Sequence, residues 1–266
     1  MKLTVNISPC PNDTFMFDAM LNRRIDTGGF EFKTQFADIE QLNARALDGD
    51  VDVCKVSYAV LPAITDRYRV LNSGSALGSG NGPLLVARGN IDMRDGSLRI
   101  AVPGEHTTAN LLMKKVFARL TDRTPVLFSA IADRVASGEF DAGVLIHEGR
   151  FTYQAKGLKL VADLGAEWEK LTRLPLPLGA IVVSRSLPGE VQQAVDRLLR
   201  KSIWHAFQRP EESWHFVKKH AQEMDDRVIG DHIALFVNDF SVDLGSEGRR
   251  AVEALTGIGD EDIFVS

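Results

Sequence analysis

Two fourteen-residue stretches, 45–58 "RALDGDVDVCKVSY" and 134–147 "RVASGEFDAGVLIH", share one pattern. Each runs through an Arg, a short helical tail, a Gly, an acid, an apolar residue and an Asp into an apolar strand. Aligned on Gly49 and Gly138, Asp52 falls on Asp141 and Tyr58 on His147. A Gly directly after a helix is its expected terminator, so a common helix–turn–strand unit explains the pattern by itself. The pattern equally fits two α/β lobes of similar build, which is the reading adopted. The rest of the two segments is not similar enough to establish a duplication.

The rest of the chain agrees with an α/β class. "KLTVNIS", "FEFKTQFA", "VDVCKVS" and "RIAVPG" predict strands bounded by Gly, Pro and Asp. "DTFMFDAML", "IEQLNARALDG", "TTANLLMKKVFARL" and "AIADRVASGE" predict helices; in the third, Leu111, Leu112, Val116 and Leu120 share one face. Such alternation implies βαβ units and parallel sheet. From Pro188 onward the pattern turns helical in three segments, with Pro188 and Pro210 at helix starts.

Composition excludes several classes. The 266 residues are 44% hydrophobic and 25% charged, enough for one large or two modest cores. A net charge of −5 offers no basic surface for nucleic acid or anionic lipid. The two cysteines, Cys10 and Cys54, lack metal-ligand spacing and are expected as free thiols. No HExxH, GxSxG, P-loop or dinucleotide fingerprint occurs. The N-terminus has no continuous apolar segment of signal-peptide type, and no stretch has the length of a membrane span. The expectation is a soluble, cytoplasmic protein. No cofactor, metal, nucleic acid, membrane or obligatory protein partner is expected.

In open α/β sheets ligands gather beyond the carboxyl ends of strands. Ser57 and His147 stand at such ends, so the strand before His147 is expected to deliver its imidazole to a cleft between the lobes. An imidazole titrates near neutrality and suits a general base, although an isolated His is often structural. Lys55 and Ser57 share a strand face; a Lys there must reach an anion or snorkel to water. Thr107 and Thr108 begin a helix, either as a plain cap or as part of an anion site. The Gly-rich 78–86 segment permits close backbone approach to a ligand or a flexible crossing, with Ser79 and Asn81 as polar candidates. In "SPCPNDTF", Asn12 or Asp13 is expected to cap a helix beginning near Thr14. Glu148 and Arg150 add charge beside His147. His106, His205, His215, His220 and His232 read as background.

"SPCPNDTF", "GPLLVARG", "VPGEHTTA", "IHEGRFTY" and "LPLPLGAI", in this order, resemble the 1,4-dihydroxy-6-naphthoate synthase family of the futalosine route to menaquinone. The resemblance spans roughly residues 3–240. It implies a two-lobed periplasmic-binding-protein-like (type II) fold with two interlobe crossings and a helical C-terminal region. The implied lobes are 1–88 with 182–266, and 89–181. It implies a lyase with a small-molecule carboxylate substrate, which converts cyclic dehypoxanthine futalosine to 1,4-dihydroxy-6-naphthoate, with His147 as the base. Lys55, Ser57, Thr107, Thr108 and Ala109 then contact the substrate, and Asn81 is a further candidate. A chorismate dehydratase of the same pathway and a solute-binding or ligand-sensing protein for an aromatic carboxylate are the alternatives.

Overall fold

The computed structural model describes residues 1–147, 149–222, 225–259 and 261–266. Two compact units emerge, one formed by 1–78 with 177–266 and the other by 79–176. The first contains β1 (Lys2–Ile7), α1 (Pro11–Leu21), β2 (Glu31–Phe36), α2 (Ile39–Asp48), β3 (Val53–Ser57), β4 (Tyr68–Val70) and β5 (Ala76–Gly78). The second contains β6 (Leu84–Ala87), β7 (Ile100–Val102), α3 (Thr108–Val116), β8 (Arg123–Pro125) and α4 (Ile131–Ala136). It continues through β9 (Ala142–Leu145), α5 (Gly149–Thr152), β10 (Lys159–Asp163) and α6 (Leu164–Thr172). β11 (Leu176–Ser184) returns the chain to the first unit. There it is followed by α7 (Gly189–Gln208), α8 (Pro210–His220), α9 (Asp226–Phe236), α10 (Asp239–Val242) and α11 (Gly245–Thr256).

The two sheets have the same internal plan. The first runs β2-β1-β3-β11-β4, with β5 also on β11, and the second runs β8-β7-β9-β6-β10. β1 lies parallel between β2 and β3, as β7 lies parallel between β8 and β9. In each sheet the next strand is antiparallel, β11 on β3 and β6 on β9. The repeated sequence pattern serves this plan. Gly49 (φ 88°) ends α2 and Gly138 (φ 87°) follows α4, both left-handed. Asp52 accepts hydrogen bonds from the Thr4 amide (2.7 Å) and hydroxyl (2.8 Å), tying down β1. Asp141 accepts from the Arg99 amide (2.9 Å) and guanidinium (3.2 Å) just before β7. The same acid thus anchors the central parallel strand of each sheet near its beginning.

Three expectations need correction. The first boundary falls at 78/79 rather than 88/89, because β6 forms a ladder with β9 and β10 of the second sheet. The second falls at 176/177 rather than 181/182, because β11 pairs with β3 from Gly179 onward. α1 begins at Pro11, whose ring occupies the first turn where its missing N–H costs nothing. Asn12 and Asp13 therefore lie inside the helix, and Cys10 holds the cap position without a side-chain capping bond.

The core of the first unit packs Leu3, Val5 and Ile7 of β1 against Phe17 and Met20 of α1 and Val195, Leu199 and Ile203 of α7. That of the second gathers Leu84, Val86, Ala101, Ile131, Val135 and Leu145. No described helix is long and apolar enough to cross a membrane.

Candidate functional site

In the first unit the carboxyl ends of β1 and β3 carry a buried polar cluster. Lys55 neither snorkels nor waits for an external anion. Its ammonium meets Asp13 Oδ1 at 2.8 Å with both side chains almost wholly buried. Asp13 also accepts from Asn12 Nδ2 (2.9 Å) and, through Oδ2, from the Ser8 hydroxyl (2.7 Å) and amide (3.3 Å). Ser57, two residues along β3, accepts at its hydroxyl from Asn43 Nδ2 (3.1 Å) and donates its amide to Asn43 Oδ1 (2.8 Å). Gly179 on β11 gives the Lys55 stem its room, since a Cβ there would lie 2.9 Å from Lys55 Cε and 3.0 Å from the Val56 carbonyl.

Tyr58, the counterpart of His147 in the repeated pattern, is buried with its hydroxyl 2.7 Å from that of Ser75. Burial raises its pKa. Burial likewise pushes the Cys54 thiol up to about 12, so Cys54 is no thiolate nucleophile at neutral pH. Neither cysteine is in a disulfide, as expected.

In the second unit β9 ends at Leu145, and His147 lies two residues beyond it in a turn rather than at the strand end itself. Its φ is +52°, a left-handed conformation that non-glycine residues adopt at a cost. The ring stands 5.1 Å from that of Phe128, edge to face. Glu148 lies outside the described residues. β7 and β9 run parallel, so α3, which follows β7, begins at the same end of the sheet as His147. Thr107 is a true cap, accepting from the Asn110 amide (3.3 Å) and donating to the Gly104 carbonyl (2.9 Å). Thr107, Thr108 and Ala109 are buried around that start.

The Gly-rich segment carries a buried Asn81. Its glycines allow close approach of its own backbone, for a Cβ on Gly82 would stand 2.3 Å from Gly165 Cα. Arg150 donates to the carbonyls of Gly82 (2.7 Å) and Gly80 (2.9 Å), on either side of Asn81. Its pKa is lowered by burial, against the pull of Asp163. One guanidinium thereby ties α5 to the loop that carries Asn81, a role that local sequence pattern does not assign. Asp13, Asn12, Gly179 and His232, which approaches Asn12 Oδ1 at 3.0 Å through Nε2, were likewise missed as site components. Among the described residues no group of three or more His, Cys, Asp or Glu could hold a metal ion.

The architecture is that of the periplasmic binding proteins. A Candida albicans protein described as having the generic periplasmic-binding-protein fold superimposes with a TM-score of 0.70 at 12% identity, covering 99% of this chain and 93% of that one. A crystal structure of an Archaeoglobus fulgidus protein gives a TM-score of 0.89 at 37% identity, covering 96% of this chain and 95% of that one. The chain belongs to the menaquinone biosynthesis family, which it matches over residues 3–261. It is 46% identical to the 1,4-dihydroxy-6-naphtoate synthase of Thermus thermophilus, over 95% of this chain and 92% of that protein. It is 43% identical to the enzyme of the same name from Streptomyces coelicolor, over 95% and 91%. The resemblance drawn from five short motifs therefore extends across the chain.

Proposed function

We propose that this protein is a 1,4-dihydroxy-6-naphthoate synthase acting in menaquinone biosynthesis, a carbon–carbon lyase whose substrate is cyclic dehypoxanthine futalosine and whose general base is His147. The relatives' names support the activity. The observation that carries the choice of base is the left-handed backbone of His147 in the turn just beyond β9. Backbone strain of this kind persists where the surroundings enforce it and gathers at functional positions.

The residues divide the work by their chemistry. The α3 start, with Thr107, Thr108 and Ala109, suits the aromatic carboxylate, because first-turn amides and the helix dipole favour negative charge. Lys55 and Ser57 are hydrogen-bonding groups for the substrate's oxygens, and Asn81 supplies an amide. His147 removes a proton, the bond to the sugar-derived fragment breaks, and aromatisation of the second ring drives the cleavage. Positioning and one base supply this chemistry. The cytoplasm is the proposed location.

Incubation of the purified protein with cyclic dehypoxanthine futalosine should release 1,4-dihydroxy-6-naphthoate, detected by mass. Recovery of the substrate intact, or of an aromatic carboxylate bound and released unchanged, would favour a solute-binding protein instead. Turnover of chorismate in place of the futalosine would favour the dehydratase reading.

A further inference from the structure

The cluster around Lys55 continues beyond the ion pair. An ionised carboxylate only accepts hydrogen bonds, so Asn12 must face Asp13 with its Nδ2 (2.9 Å). That orientation turns Asn12 Oδ1 toward His232, and the 3.0 Å contact there requires the proton on His232 Nε2. The result is a directed chain: His232 of α9 donates to Asn12, Asn12 donates to Asp13, and Asp13 receives Lys55 of β3. All four side chains are buried. Asp13 accepts four hydrogen bonds from described residues, which fills the sites of a carboxylate.

A buried ammonium with a fully engaged carboxylate beside it is a neutral pair held in one place. Among the described residues its three N–H groups have a single destination, Asp13, at 2.8 Å, while Gly179 leaves the stem no side chain to lean on. We propose that Asp13 is a positioning residue that fixes the place of Lys55, and that His232, through Asn12, orients Asp13. The pair then offers the substrate a donor without net charge, suited to a hydroxyl or carbonyl oxygen and not to the carboxylate. This inference rests on the proposed reading of Lys55 as a substrate contact.

Three variants of the full chain test it. Asp13→Asn keeps the size and removes the charge. His232→Leu removes the donor, and His232→Gln returns one. The first readout is acetic anhydride labelling of Lys55, followed by mass spectrometry, with the other lysines as internal standards. Without the carboxylate the Lys55 nitrogen loses the partner that holds it, so its labelling in Asp13→Asn should rise about fivefold or more. The second is steady-state kinetics with cyclic dehypoxanthine futalosine, where KM should rise on the order of tenfold with a smaller fall in kcat. His232→Leu should move both readouts in the same direction by less, and His232→Gln should recover more than half of that change.

Unchanged labelling and unchanged KM in Asp13→Asn, with only a lower Tm, would make Asp13 a structural residue and overturn the proposal. Equal behaviour of His232→Leu and His232→Gln would overturn the part played by His232. If the wild type makes no naphthoate, the proposed function fails, and the labelling ratio alone still decides whether Asp13 governs Lys55.

Discussion

Replacing His147 by Asn separates what this residue does for the reaction from what it does for the fold. Its φ of +52° places it where ordinary residues pay about 1–3 kcal/mol and where Asn is several-fold enriched. Asn should therefore recover part of that strain. It forfeits the edge-to-face contact with Phe128, 5.1 Å away, a loss of about 0.5–1.5 kcal/mol. The two effects oppose each other and leave a net change within about 1 kcal/mol, a Tm shift of at most roughly 4 °C for a chain of this size. Turnover should fall by about two to four powers of ten, the usual yield of general acid–base catalysis. The rise of wild-type activity with pH as the imidazole deprotonates should vanish with it. Naphthoate formation followed from pH 5 to 9, beside calorimetric scans of both proteins, measures the two effects separately. His220→Asn is the mirror-image control. That ring packs between Phe36 (4.3 Å) and Phe216 (4.5 Å), so its loss should lower Tm and spare turnover. If His147→Asn turns over within threefold of wild type, the base lies elsewhere; if its Tm falls by 10 °C, the left-handed turn is a stability device and the catalytic argument loses its footing.

Two further outcomes follow from the anchors already described. Thr108→Leu places a branched apolar side chain at the first residue of α3 and should weaken binding of 1,4-dihydroxy-6-naphthoate by about tenfold or more, read by fluorescence titration. A collapse of Tm with affinity intact would reduce Thr108 to a helix-start residue. Asp141 has its pKa lowered by hydrogen bonds from Arg99, so its stabilising contribution is complete above about pH 4 and drains away as pH falls through the lower folded-state value. Asp141→Asn should accordingly lower Tm at pH 7, with the gap to wild type closing toward pH 2.5; a gap independent of pH would show that the side chain's charge is irrelevant to the anchor.

The sheet plan was legible in the sequence because its determinants are local. A helix, its left-handed Gly, an acid that reaches back to the neighbouring strand and an apolar run all lie within fourteen residues, and both copies can be compared by eye. The crossings were misplaced for the opposite reason. "LLV" reads as a strand in either lobe, and only its pairing with β9, nearly sixty residues later, assigns it. The same limit applies to the candidate site. Lys55 and Ser57 announce themselves at the end of a strand and Thr107 and His147 just beyond one, but Asp13 reads as a cap because its partner Lys55 is 42 residues away. His232 looked like background because Asn12 is 220 residues away. Asn12 and Asp13 both favour helix starts as residue types, and here long-range hydrogen bonding prevailed over that preference.

The antiparallel strand beside each parallel trio has a consequence for the order in which a ribosome can release a finished protein. Residues 79–176 are contiguous, and every strand of their sheet is present once β10 has emerged. The other sheet must wait. β4 finds its ladder partner in β11, more than a hundred residues downstream, and β11 is inserted between β3 and β4 rather than added at an edge. Until then β3 exposes one open flank and α1 lacks the face of α7 on which Met20 and Ile203 meet the core. The inner segment is therefore placed to fold first during synthesis, and the outer one to close around a strand that arrives last.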